Sequence, residues 1–78
     1  MKTVKILGTG CAKCKQTERV IVDMIAENNL DVEVIKVEDI QDIMGYNVLS
    51  TPAVVVDEIV KIKGHVPSRK ELETILLN

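Results

Sequence analysis

The sequence predicts an α/β fold over residues 1–78, with a four-stranded mixed sheet and helices on both of its faces. Short apolar runs alternate along the chain with patterns of helical spacing. The chain has one Tyr and neither Phe nor Trp, so the core must be built from aliphatic side chains. A chain of 78 residues provides material for one hydrophobic core, which predicts a single domain.

Charge and hydropathy exclude several classes of protein. The net charge is −2 with both signs interspersed, which argues against a nucleic-acid-binding surface. No apolar stretch approaches the length of a membrane span, and the apolar run before Gly8 is too short for the core of a signal peptide. We therefore expect a cytoplasmic monomer without nucleic-acid or membrane partners.

The first third of the chain predicts a βαβ unit. The β-branched run from Thr3 to Leu7 indicates a strand that ends at Gly8. A helix of about four turns follows, and Asn28 and Asn29 end it because Asn tolerates the left-handed conformation of helix ends. The run from Val32 to Val37 is apolar on both faces, as in a parallel strand covered by helices. A right-handed crossover then makes the two strands parallel. The helical positions that face the core are Cys14, Thr17, Ile21 and Ile25.

A short helix and a hairpin are predicted next. Asp39 can cap a helix that ends near Gly45. Ala53 to Val56 and Ile59 to Ile62 indicate strands, and the two-residue connection Asp57-Glu58 requires a hairpin although it lacks the usual Gly.

The chain ends in a helical pattern. Ser68 and Glu71 have the spacing of a capping box. The apolar positions after it are Leu72, Ile75 and Leu76. The complete order is β-α-β-α-β-β-α, and the simplest sheet places the strands in the order 2-1-3-4.

Both cysteines lie between the first strand and the first helix, as Cys11-Ala12-Lys13-Cys14. A C-x-x-C at this place indicates a site that cycles between dithiol and disulfide. With Cys11 at the helix N-terminus and Cys14 one turn later, the two sulfurs face the same side. The sequence therefore favours a thiol-disulfide oxidoreductase.

The two thiols are expected to have different roles. Unsatisfied amides and the helix dipole favour a thiolate at Cys11, and Lys13 and Lys15 add positive charge nearby. Cys11 is therefore the predicted nucleophile. Cys14 points toward the body of the protein and is the predicted resolving thiol, which attacks the mixed disulfide and releases the partner.

Other uses of the cysteine pair remain open. A structural bridge over this short loop would contribute only about 2 kcal/mol, against about 3 for a fifteen-residue loop. A structural zinc site needs four ligands, whereas the chain offers two cysteines and the lone His65. A carrier of a soft ion such as Cu(I) and a redox-inactive interaction module are the alternatives that remain.

Three segments together resemble the thioredoxin/glutaredoxin superfamily. They are the C-x-x-C after the first strand, Ser50-Thr51-Pro52 before the third strand and Gly64 after the fourth. The chain is most similar to the small microbial thioredoxin-like redox-active disulfide proteins, over essentially its whole length. The resemblance implies a thioredoxin-like fold and a cis peptide bond before Pro52.

The same resemblance implies a set of site residues and partners. Thr51, Pro52, Ala12 and Lys13 would contact the substrate, which is a protein or small-molecule disulfide. A disulfide reductase would supply the electrons, and no cofactor is expected besides the Cys11–Cys14 disulfide. Accessory roles could fall to Gly64 and to Tyr46, although a lone Tyr in a short loop more often serves packing, and His65 is expected at the surface.

Several positions depart from the family pattern. Gly10 stands where thioredoxins have a Trp, and Lys5 stands where they carry a buried acid that helps to deprotonate the resolving thiol. Gly64-His65-Val66-Pro67-Ser68 replaces the segment with which glutaredoxins hold glutathione. Heavy-metal-associated domains also place a C-x-x-C between a strand and a helix, but here Thr9 occupies their methionine position. Such domains end in a strand, whereas this chain is predicted to end in a helix.

Overall fold

Seven elements follow one another in the predicted order. A computed structural model of the protein describes residues 2–77. Among these residues, no helix is long and apolar enough to cross a membrane. The elements are β1 (Lys2–Leu7), α1 (Ala12–Asn28), β2 (Val32–Val37), α2 (Ile40–Met44), β3 (Ala53–Val56), β4 (Ile59–Lys63) and α3 (Arg69–Leu76).

The four strands form one sheet in the order β2-β1-β3-β4, which confirms the predicted thioredoxin-like arrangement. β1 runs parallel to β2, with Leu7 opposite Val37, and antiparallel to β3, with Leu7 also opposite Ala53. The end of β1, the end of β2 and the start of β3 therefore meet at one edge of the sheet. Three loops converge there, and they include both cysteines and the segment before Ala53.

Helices cover both faces of the sheet, as predicted. On one face, α1 and α3 pack against alternate residues of the strands to form the larger core cluster. On the other face, α2 contributes the buried Ile43 to a smaller cluster with Leu7, Ala53 and Val55. The larger cluster consists of Val4, Ile6, Ile21, Met24, Val54, Val56, Ile62, Leu72 and Leu76.

β2 differs from the expectation of a strand covered on both faces. It is an outermost strand of the described sheet, and Ile35 is 37% exposed. The apolar residues on both faces of β2 do not indicate two complete covering layers. They reflect partial packing of Val32 and Val34 against the larger cluster and of Val37 against the smaller one.

The predicted helix ends are present. Asn29 adopts the left-handed conformation after α1, with φ 52° and ψ 48°. The Gln41 amide donates to Asp39 Oδ1 over 2.8 Å at the start of α2. At α3 the Glu71 amide donates to Ser68 Oγ over 3.1 Å, and the Ser68 amide donates to Glu71 Oε1 over 2.9 Å. Side chains named from the sequence thus satisfy amides that the helices leave open.

Contacts with β1 support the hairpin turn that has no glycine. Asp57 and Glu58 both have positive φ, 49° and 69°, which is the geometry that usually selects Asn or Gly. The Thr3 amide donates to Asp57 Oδ1 over 3.0 Å, and the Asp57 amide donates to the Thr3 carbonyl over 2.9 Å. Glu58 pairs with Lys5 Nζ at 2.7 Å. These contacts hold the turn in a conformation that its own residues disfavour.

Candidate active site

The backbone places the cysteines at the start of α1. Cys11 is the residue before the first helical turn, with an extended backbone at φ −69° and ψ 169° and no cap made by its side chain. Its carbonyl accepts the first helical hydrogen bond, from the Lys15 amide, over 3.0 Å. The Cys11 thiol therefore stands at a helix N-terminus without being used as a cap, which leaves it available for chemistry.

The two thiols differ in accessibility. They are not bridged, and their Sγ atoms lie 2.8 Å apart. Cys11 is exposed, whereas Cys14 is 6% exposed. A disulfide arriving from solvent can reach Cys11, and Cys14 lies behind it within bonding reach of the same sulfur.

The burial of Cys14 depends on Gly8. A Cβ atom added to Gly8 would overlap the Cys14 sulfur and would lie 3.0 Å from Cys14 Cβ. The thiol thus packs directly on the backbone at the end of β1. The sequence indicates Gly8 only as the end of a strand and does not show that Gly8 makes room for the Cys14 thiol.

The pKa values of the two thiols move in opposite directions. The pKa of Cys11 is lowered because the Cys14 thiol and the backbone amides of Cys14 and Lys13 donate hydrogen bonds to the Cys11 sulfur. The pKa of Cys14 is raised, first by burial and then by its hydrogen bond to Cys11. The main causes that lower the pKa of Cys11 are hydrogen bonds, and the expected charges of Lys13 and Lys15 are not among these main causes.

The loop before β3 contains the predicted cis peptide bond, between Thr51 and Pro52. The Gly64 amide donates to the Pro52 carbonyl over 2.9 Å. Gly64 has a φ of +76°, and a Cβ on it would lie 3.1 Å from Ser50 Cβ. Gly64 therefore lies against the proline loop.

An apolar groove adjoins the cysteine loop. Thr9, two residues before Cys11, and Thr51 both line it, so the groove connects the loop after β1 with the proline loop. Its volume is about 340 Å³, and three of its side chains are largely exposed. The apolar lining residues are Ile40, Ile43, Met44, Val48 and Leu49.

Two of the remaining predicted residues lie beside Cys11, and Tyr46 does not. Ala12 and Lys13 are exposed beside Cys11. Tyr46 instead hydrogen-bonds to Lys5 Nζ over 2.8 Å and to Glu58 over 3.3 Å. Glu58 is in the β3–β4 turn, at the end of the sheet opposite the cysteines. This placement favours a packing role for Tyr46 over a role beside the cysteines.

The Lys5 and His65 side chains also have partners away from the thiols. Lys5 lies between Tyr46 and Glu58, and these hydrogen bonds raise its pKa. His65 is exposed at the surface, with Nε2 3.1 Å from Glu71 Oε2.

A small crevice, lined by residues different from those of the groove, adjoins Cys14. Its volume is about 30 Å³. The ionisable side chains that line it, besides Cys14, are Lys15, Glu18, Lys36 and Glu38. Glu38 is not among the residues predicted for the site, although its position directly after β2 predicts that it lies at the edge where β1 ends. Across residues 2–77, no group of three or more His, Cys, Asp and Glu side chains is arranged to hold a metal ion.

Comparison with known proteins agrees with this geometry. Residues 2–77 match the family model described as "Thioredoxin domain". A protein named thioredoxin from Methanocaldococcus jannaschii is 36% identical over 73 residues, which cover 94% of this chain and 84% of the relative. A second thioredoxin, from Methanothermobacter thermautotrophicus, is 33% identical over 76 residues, which cover 97% of this chain and 99% of the relative. With its C-x-x-C at the start of α1 and its cis-proline loop at the same edge of the sheet, the chain belongs to the thioredoxin domain family.

Proposed function

We propose that this protein is a thiol-disulfide oxidoreductase in which Cys11 is the nucleophile and Cys14 the resolving thiol. The observation that carries the proposal is the contrast between the two sulfurs. Cys11 is exposed and has a lowered pKa, whereas Cys14 is buried 2.8 Å away and has a raised pKa. Because the thiolate is the attacking species, the first attack belongs to Cys11.

The reaction takes two exchange steps. The Cys11 thiolate attacks one sulfur of the substrate disulfide, a Cys11–substrate disulfide forms, and the other substrate sulfur leaves as a thiolate that takes up a proton. Cys14 then loses its proton and attacks Cys11 Sγ, so the Cys11–Cys14 bond forms and the second substrate sulfur leaves. The substrate disulfide gains two electrons and two protons, and the protein is oxidised to its own disulfide.

The substrate in this proposal is a protein or small-molecule disulfide, and a disulfide reductase returns the two electrons. Exposure of Ala12 and Lys13 beside Cys11 supports their contact with the substrate. The position of Thr51 in the apolar groove, with Pro52 following it, supports the same role for the proline loop. The two named relatives are both thioredoxins, which agrees with a disulfide substrate.

Trapping of mixed disulfides tests the division of roles. Cys14→Ser and Cys11→Ser proteins are exposed briefly to a small disulfide near neutral pH and analysed by intact-protein mass spectrometry. We expect Cys14→Ser to accumulate a mixed disulfide through Cys11, because the attacking thiol remains and the resolving thiol is gone. Cys11→Ser should trap little, because the remaining thiol is buried and protonated.

Other outcomes distinguish the alternatives. Equal trapping by both variants, or preferential trapping through Cys14, would contradict the assignment of the nucleophile. No reaction in either variant would favour a redox-inactive interaction module. A one-to-one metal complex that survives dialysis against a mild chelator, in a protein without a measurable disulfide couple, would favour a metal carrier.

A further inference from the structure

In the second exchange step, the Cys14 proton loses the acceptor that it has in the reduced protein, which is the Cys11 sulfur. In the reduced protein the Cys14 thiol donates to Cys11, with 2.8 Å between the sulfurs. Once Cys11 is bound in a mixed disulfide, its sulfur is no longer a thiolate and accepts hydrogen bonds poorly. Cys14 must nevertheless lose its proton before it can attack. Another group therefore has to accept that proton.

The surroundings of Cys14 offer few routes for the proton. The Gly8 backbone lies directly against the sulfur, which closes the side toward β1. The crevice provides an opening, since Cys14 itself lines it and its volume of about 30 Å³ has room for a water molecule. The charged groups that face Cys14 across it are Lys15 and Glu18 from α1, Lys36 from β2 and Glu38 from the loop after β2.

The two carboxylates of the crevice differ in their partners. Glu18 Oε2 lies 3.5 Å from Lys36 Nζ, so its charge is partly balanced. Within residues 2–77, Glu38 takes part in no hydrogen bond or ion pair. Its Oε2 lies beside the cysteine loop, because a Cβ on Gly10 would be 3.7 Å from it. Glu38 is also exposed, so a proton that it accepts can pass on to solvent.

From this geometry we infer that the Glu38 carboxylate, acting through a water molecule in the crevice, accepts the Cys14 proton during the resolving step. The proton moves from Cys14 Sγ to the water while a proton of the water moves to Glu38. The Cys14 sulfur then uses its freed electron pair to form the bond to Cys11 Sγ, and the substrate sulfur leaves with the electrons of the broken bond. Glu38 later returns the proton to the leaving thiolate or to solvent. This inference rests on the proposed function.

The two exchange steps can be separated with a chromogenic symmetrical disulfide, dithiobis(nitrobenzoate). Attack by Cys11 releases one coloured thionitrobenzoate at a rate that depends on the reagent concentration. Attack by Cys14 releases the second in a phase independent of that concentration. The second phase, followed by stopped flow across a range of pH, therefore measures the resolving step alone.

Glu38→Gln should slow the second phase near neutral pH by at least about 10-fold, because it removes a proton acceptor of nearly the same shape. The second-phase rates of Glu38→Gln and of the wild type should converge at a pH where the Cys14 thiol ionises without help. The rate of the first phase should change little. Glu18→Gln, which alters the paired carboxylate of the same crevice, and Glu33→Gln on β2 are the matched controls. Both should keep the second phase within about 2-fold of the wild type, since neither removes the inferred acceptor.

Several results would overturn the inference while leaving the proposed function intact. They are an unchanged second phase in Glu38→Gln, a loss of the same size at every pH, or a larger loss in Glu18→Gln. The wild type alone provides a second test, because an ionised acceptor makes the rate of the second phase independent of pH over part of the range. A second phase that falls steadily as the pH is lowered, with no plateau, would also overturn the inference. If the wild type releases no second thionitrobenzoate, the proposed function and the inference both fail.

Discussion

At the scale of single residues, Gly8 shows how one absent side chain determines the state of a thiol. Cys14 is buried because its sulfur occupies the space where a Gly8 Cβ would be. The same burial raises the pKa of Cys14. The φ of Gly8 is not positive, so alanine meets no backbone penalty there, and the steric contact with Cys14 is the constraint.

Gly8→Ala should therefore lower the free energy of unfolding of the reduced protein by about 1 to 3 kcal/mol, the range for overpacking a core. It should also slow release of the second thionitrobenzoate, because Cys14 is displaced, while the first release changes less. Urea denaturation under reducing conditions and the two-phase disulfide assay measure the two effects.

A double-mutant cycle isolates the contact between Gly8 and Cys14. In a Cys14→Ala background the sulfur is gone, so Gly8→Ala should cost less by at least about 0.5 kcal/mol. Some penalty should remain because Cys14 Cβ would be only 3.0 Å away. An equal penalty in both backgrounds would show that the glycine acts on the backbone and not on the thiol.

At the scale of elements, local signals in the sequence predicted the helix ends well. Asn29, Asp39 and the Ser68–Glu71 capping box all have the roles that their types and positions indicate. Such caps depend on residues within a few positions of one another, which a single sequence displays. The turn at Asp57-Glu58 was harder to predict, because contacts with Thr3 and Lys5 on a distant strand support it.

The capping box gives a prediction for α3. Ser68→Ala removes the oxygen that accepts from the Glu71 amide and should lower the free energy of unfolding by about 1 kcal/mol. Lys70→Ala, at an exposed position of the same helix, is the matched control and should change it by less than about 0.5 kcal/mol. Urea denaturation measures both. A Ser68→Ala protein as stable as the control would mean that packing of Leu72 and Leu76 alone holds the helix.

At the scale of the whole molecule, the strand order assembles the site. Parallel pairing of β1 with β2 and antiparallel pairing of β1 with β3 bring the cysteine loop, Glu38 and the proline loop to one edge. The cysteines were predicted because their C-x-x-C spacing by itself indicates a redox site. Glu38 follows β2 directly, so its place at this edge could have been predicted from the strand order. The contacts of Lys5 could not, because a charged residue in a sequence does not show which neighbours the tertiary fold gives it.

The altered thiol pKa values also connect the site to the stability of the reduced protein. The pKa of an unfolded cysteine is about 8.5, and the pKa of Cys11 in the folded protein is lower. Between these two values the folded state binds fewer protons than the unfolded chain, so stability rises with pH across that interval. Cys14 has the opposite effect on stability, because its pKa is raised in the folded protein. This effect is present only above about pH 8.5, where an unfolded cysteine loses its proton.

Urea denaturation of the reduced wild type and of Cys11→Ser, at a series of pH values with a phosphine reductant, tests this relation. We expect the difference between their midpoints to shift in favour of the wild type as the pH rises from the lowered pKa of folded Cys11 to about 8.5. The contribution should be lost again as the pH falls through the pKa of folded Cys11. A difference that stays constant over this interval would mean that the Cys11 thiolate is no better stabilised in the folded protein than in the unfolded chain. The hydrogen bonds from Cys14 and the helix amides would then not support the proposal that Cys11 attacks first.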